Sequence, residues 1–108
     1  KWDVSNVVDF TRIFQGKDFF NEPIGSWNVS HGTKMVMMFS KAQTFHQDIS
    51  AWDTSNVTDM SVMFAKTAYY NQDSSAWDTS SVIDMRYMFY KARSFDQDIL
   101  TWDMSNVT

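Results

Sequence analysis

Hydrophobic and polar positions along this chain recur at one fixed spacing. Tryptophans stand at 2, 27, 52, 77 and 102, a period of 25 residues. Around each of them the side chains alternate, as in Trp27-Asn28-Val29, Trp52-Asp53-Thr54 and Trp77-Asp78-Thr79. Alternation of this kind is the signature of a short strand, and it turns the tryptophan inward. A small polar pair follows, Ser5-Asn6, Ser55-Asn56 or Ser80-Ser81, which suits a turn and then a helix N-cap. Asp9, Asp59 and Asp84 come three residues later, where the first turn of a helix favours negative charge. Val57, Met60, Met63 and Phe64, matched by Val82, Met85, Met88 and Phe89, then trace one helical stripe. Lys41, Lys66 and Lys91 fall near the far end of each such helix, where positive charge is favourable.

One short parallel strand and one short helix per 25 residues predict an α/β solenoid of leucine-rich-repeat-like geometry. Trp, Met and Phe take the inward positions that Leu and Ile usually fill. The whole chain, 1–108, reads as a single array of about four units, starting near Trp2, Trp27, Trp52 and Trp77, with a partial fifth at Trp102. The chain opens and closes in the same phase of the motif, without the polar caps that end most arrays, so it reads as a piece of a longer array.

The units FHQDISAWDTSNVTDMSVMF and FDQDILTWDMSNVT resemble the BspA-type leucine-rich repeats of surface proteins, also known as domain of unknown function 285 and found in mycoplasma-type lipoproteins. The likeness runs through all 108 residues. It implies a β/α solenoid on a secreted or cell-surface protein, working in adhesion or protein binding. It implies no catalytic residues.

Composition narrows the function without naming it. A net charge of −4 and no basic run argue against a nucleic-acid groove. No stretch approaches the roughly 18 apolar residues of a membrane span. The absence of cysteine removes disulfides, thiolate metal sites and cysteine nucleophiles together. Serine, histidine and aspartate abound only because the repeat makes them, so enzyme function is not expected.

The sharpest polar feature is a column of like charges, Asp3, Asp53, Asp78 and Asp103, interrupted by Asn28. Stacked aspartates repel unless something compensates. A local Asx-type turn is one compensation, and a bound calcium ion, which takes about 6 to 8 oxygen ligands, is another. Asp48, Asp73 and Asp98 form a second column open to the same two readings. His31 and His46 occupy slots filled elsewhere by polar turn residues.

Met37, Val62 and Tyr87 share a position just off the inward stripe and would form an apolar strip for a partner if exposed. The repeat breaks from Pro23 to Lys34, where Pro23 replaces an aspartate and, in the second period, His31 replaces an asparagine, Gly32 a valine and Lys34 an acid. Neutral drift explains such breaks in a tolerant array, and a local contact site is the alternative. Asn28, Asn56 and Asn106 each begin an N-glycosylation pattern. These readings lead to a non-catalytic scaffold that binds another protein or a surface glycan, with no resident cofactor. A calcium- or glycan-binding module and a structural spacer are the alternatives.

Overall fold

The computed structural model describes residues 3–107. Trp2, the expected start of the first unit, and Thr108, which completes the last glycosylation pattern, lie outside the described residues.

Successive 25-residue units lie against one another in register, yet they are built from turns. Among the described residues there is no α-helix, and no strand extends beyond an isolated bridge. Parallel bridges join Asp9 to Lys34, Lys34 to Asp59, and Asp59 to Asp84. The radius of gyration is 12.6 Å, against about 13 Å for a globule of this length. The chain is therefore a compact body and not the expected α/β solenoid of strands and helices.

The hydrogen bonds explain the correction. Between residues 60 and 67 the backbone N–H groups point alternately out of the unit and back into it. Met60, Val62, Phe64 and Lys66 donate to the carbonyls of Asp84, Arg86, Met88 and Tyr90 in the next unit, at 2.7–2.9 Å. Met63, Ala65 and Thr67 donate three residues back, to Met60, Val62 and Phe64. An α-helix would instead send every one of these groups to its own i−4 carbonyl. Val62 and Lys66 both sit at φ 60°, a left-handed conformation that no α-helix admits. The apolar spacing of three residues is thus the spacing of overlapping β-turns. Asp59, expected as the acidic residue of a helix's first turn, instead occupies the bridge, where its carboxylate accepts the Ser61 N–H at 2.9 Å.

The expected strand at Trp52-Asp53-Thr54 is likewise absent. Trp52 N–H closes a turn onto Ile49, Val57 N–H closes one onto Thr54, and the Thr54 hydroxyl reaches the Asp78 carbonyl at 3.1 Å.

The inward assignment of the large side chains fits the core. Phe14, Phe39, Phe64 and Phe89 stack in one column with ring centroids 5.5 Å apart at each step. A second column runs Phe20, Phe45, Tyr70, Phe95. Trp52, Trp77 and Trp102 form a third at 6.4 and 6.2 Å. Each of these tryptophans donates its indole N–H to a carbonyl 28 residues earlier, Ile24, Ile49 and Ser74 respectively. Backbones about 4.8 Å apart naturally stack like rings at such distances, and each aromatic pair adds about 0.5–1.5 kcal/mol beyond its burial. Met35, Met38, Met60 and Met63 are buried among them.

The second-period break has a packing reason. Gly32 stands where other units carry valine, and a Cβ there would sit 3.0 Å from the Phe10 ring. Phe10 occupies the column of Met35, Met60 and Met85, so a larger residue in one unit is matched by a smaller one in the next. Lys34 lies in the bridge column between Asp9 and Asp59; the Thr11 hydroxyl and N–H hold the Asp9 carboxyl below the usual range, and the Lys34 charge adds to them weakly. There it interrupts what would be a run of like charges.

Candidate functional site

Two turns in each unit place a residue in the left-handed region, and these two positions build the site. The first column holds Arg12, Met37, Val62 and Tyr87, at φ 54–61°. The second holds Gly16, Lys41, Lys66 and Lys91, at φ 54–73°. Both fall third in a turn closed by an i to i+3 bond, as Met63 to Met60 and Thr67 to Phe64 show. That position requires positive φ and ordinarily selects glycine or asparagine. A left-handed residue with a Cβ costs about 1–2 kcal/mol, a cost the first unit accepts once, at Arg12, and the next three accept twice.

The first column borders a surface groove of about 640 Å³ lined by Met37, Val62, Tyr87 and Tyr90, with Lys41 and Lys66 along its edge. Met37 and Val62 are half-buried, while Tyr87 is 66% exposed. The Tyr87 and Tyr90 rings meet edge to face at 5.8 Å. Lys91 holds its ammonium 5.3 Å from the centre of the Tyr90 ring. Arg12 and Gln15 cover the Met37 sulfur at 3.4 and 3.7 Å.

The second column borders a neighbouring groove of about 620 Å³, lined by Lys41, Lys66, Lys91 and Arg93, with Asp18 at its first-unit end. Among the described residues, none of these lysines has a carboxylate within ion-pair distance. The ion pair among the described residues is Arg86 with Asp84, at 2.8 Å. Lys41 and Lys66 belong to both grooves, so the apolar strip and the cationic row form one continuous face.

The aspartate columns are built differently. Asp3, Asp53, Asp78 and Asp103 each accept the N–H of the serine two residues on, at 2.9–3.0 Å. In the first three the serine hydroxyl adds a second bond at 2.6 Å. Asn28 makes the same pair of bonds to Ser30 without a charge. The serine hydroxyl first and the backbone N–H second hold the carboxyls of Asp3, Asp53, Asp78 and Asp103 below the usual carboxylate range. Asp53 and Asp103 push Asp78 weakly the other way. Asp48, Asp73 and Asp98 form matching turns, accepting from Ser50, Ser75 and Leu100. These are Asx turns, and among the described residues no group of three His, Cys, Asp or Glu side chains comes together to hold a metal.

The other sequence-derived positions scatter. Pro23 is exposed and lines a separate hollow of about 380 Å³ with Phe14, Phe20 and Trp27. His31 donates a ring N–H to the Ser5 carbonyl at 2.8 Å, the bond that Asn56 and Asn106 make to Ser30 and Ser80. The amide nitrogens of Asn56 and Asn106, which would carry a sugar, are therefore already engaged. His46 accepts the Asn71 N–H at 3.3 Å within a polar column of Asn21, His46, Asn71 and Asp96. Neither Pro23, His31 nor Lys34 lines the groove of Met37, Val62 and Tyr87.

Sequence reasoning placed the lysines at helix ends and missed their shared face with Tyr90 and Arg93. The signal was Gly16 in the lysine column, since glycine alternating with lysine at one repeat position marks a left-handed backbone.

No curated protein and no solved structure matches the chain. One family model, described as a Mycoplasma protein of unknown function, DUF285, matches residues 1–77 and again 31–108. Together the two matches span every residue, and the chain belongs to this family of Mycoplasma proteins of unknown function.

Proposed function

We propose that this chain is a non-catalytic module that binds another protein through the face formed by Met37, Val62, Tyr87 and Tyr90. The observation that carries this reading is the groove of about 640 Å³ whose apolar walls remain open to solvent beside uncompensated lysines. Apolar surface of this kind, rimmed by charge, is what partners cover. Tyrosine supports the reading further, because it brings large contact area at low conformational cost. The resemblance to BspA-type surface proteins points the same way and favours a place at the cell surface. The aspartate columns support a calcium- or glycan-binding role less well, since their carboxylates are already satisfied within their own turns.

The test is selection of random phage-displayed peptides on the immobilised chain. Peptides that bind wild type are expected to lose about tenfold or more against a Val62→Ser/Tyr87→Ser double variant, the loss that removal of about 1.4 kcal/mol of contact produces. They should retain binding to Leu100→Ser, which changes an exposed apolar residue outside the groove. Selected peptides indifferent to the double variant would contradict the assignment.

A further inference from the structure

The chain carries two kinds of charged column with one period, and only one kind is held by hydrogen bonds within its own turns, although Lys91 also lies over the Tyr90 ring. The aspartates are held by serine N–H and hydroxyl groups in their own turns. Among the described residues Lys41, Lys66 and Lys91 have no carboxylate partner, although units about 4.8 Å apart bring like charges close together. Nor does the backbone favour lysine there. Gly16 fills the same left-handed position in the first unit without a Cβ penalty, whereas the next three units place a cation in it. Positive charge also rises along the row, from Gly16 and Asp18 at one end to Lys91 and Arg93 at the other.

We propose that this row binds an acidic, extended segment of another polypeptide, whose carboxylates meet Lys41, Lys66 and Lys91 while its apolar side chains enter the groove of Met37, Val62 and Tyr87. The inference rests on the protein-binding reading above and names the chemistry of the partner. Because Lys41 and Lys66 edge both grooves, a ligand that fills the face needs negative and apolar groups at short spacing. An extended polypeptide offers both, sending successive side chains to opposite sides every 3.3 Å or so. A long uniform polyanion suits the face less well. It has nothing to place in the apolar groove, and the net charge of −4 disfavours it beyond the row.

Fluorescence anisotropy with labelled polymers tests this directly. The probes are a random glutamate–tyrosine copolymer, poly-glutamate, heparin and single-stranded oligothymidine. The copolymer is expected to bind more tightly than the other three and to weaken as salt is added. A Lys41→Gln/Lys66→Gln/Lys91→Gln variant should weaken it about tenfold, as expected for the loss of three exposed ion pairs. Arg86→Gln, which removes a cation already paired with Asp84 and outside both grooves, should leave it unchanged. Melting midpoints confirm that each variant is folded. Copolymer binding unchanged in the triple variant would overturn the proposal. Tighter, lysine-dependent binding of heparin or oligothymidine would overturn it in favour of a glycan or nucleic-acid site. Peptides selected on the chain that depend on Val62 and Tyr87 but not on the lysines would sink this inference alone. Peptides that depend on neither would sink the protein-binding reading as well.

Discussion

The aspartate and lysine columns repeat with the same 25-residue period and have opposite relations to the fold. Each aspartate of the Asp53 column closes its own turn, so its charge is used where it stands. The lysines of the Lys66 column take a backbone position that suits glycine better, and their charges meet no carboxylate among the described residues. The first column contributes to stability, and the second costs stability. A periodic charge is thus no sign of function by itself. What distinguishes the two is whether the protein already satisfies it.

That contrast requires both columns to share one register, and the register is held by the stacked rings beneath them. Trp52 is 3% exposed, stacks on Trp77 at 6.4 Å and donates its N–H to Ile24. Trp52→Ala is expected to cost about 3–5 kcal/mol in chemical denaturation, the range for deleting a large buried aromatic. A loss below about 1 kcal/mol, typical of a surface site, would mean that the rings do not set the register.

A smaller effect tests how finely the units are fitted. Gly32→Ala should destabilise by about 1–3 kcal/mol, because the added methyl meets the Phe10 ring. Phe10→Met in the same chain should recover much of that loss, since Met35 and Met60 occupy the same column beside valine. Additive losses in the double variant would show that the two residues do not compensate.

The aspartate side of the contrast is tested by acid. Folding lowers the carboxyls of Asp3, Asp53, Asp78 and Asp103 from an unfolded value of about 3.9. A lowered folded pKa contributes stability that is fully present above the unfolded value and is lost as pH falls through the folded one. Denaturation midpoints should therefore hold steady above about pH 5 and fall progressively below about pH 4. Asp53→Asn should keep the turn, as Asn28 does, and show a shallower acid decline. An unchanged acid profile would contradict the role given to these bonds.

The lysine side gives the smallest effect and the opposite sign. Lys66→Gly should stabilise the chain by about 0.5–1 kcal/mol, the left-handed penalty of about 1–2 less the entropy cost of glycine. A destabilised variant would show that the lysine is needed for the fold.

Much of this architecture was legible in the sequence, and its local structure was not. The period, the inward tryptophans and the Met and Phe core follow from burial, which acts on side-chain spacing whatever the backbone does. Spacing of three also fits both a helix and a run of i to i+3 turns, and Val57, Met60, Met63 and Phe64 satisfy either. The arbiter is where the N–H groups of Met60, Val62 and Phe64 go, and they go to the neighbouring unit. Nothing in Val62 announces a positive φ, because valine is among the residues least suited to it. Likewise Met37, Val62 and Tyr87 could be grouped from their shared phase. The lysines looked like helix-end charges until the turns placed them beside Tyr90.

The claim that the lysines serve binding at the expense of the fold is tested most directly by replacing Lys41, Lys66 and Lys91 together with glycine and measuring stability and glutamate–tyrosine copolymer affinity on the same preparation. A higher denaturation midpoint with affinity lowered about tenfold is expected, the loss corresponding to three exposed ion pairs. A lower midpoint with unchanged affinity would contradict it.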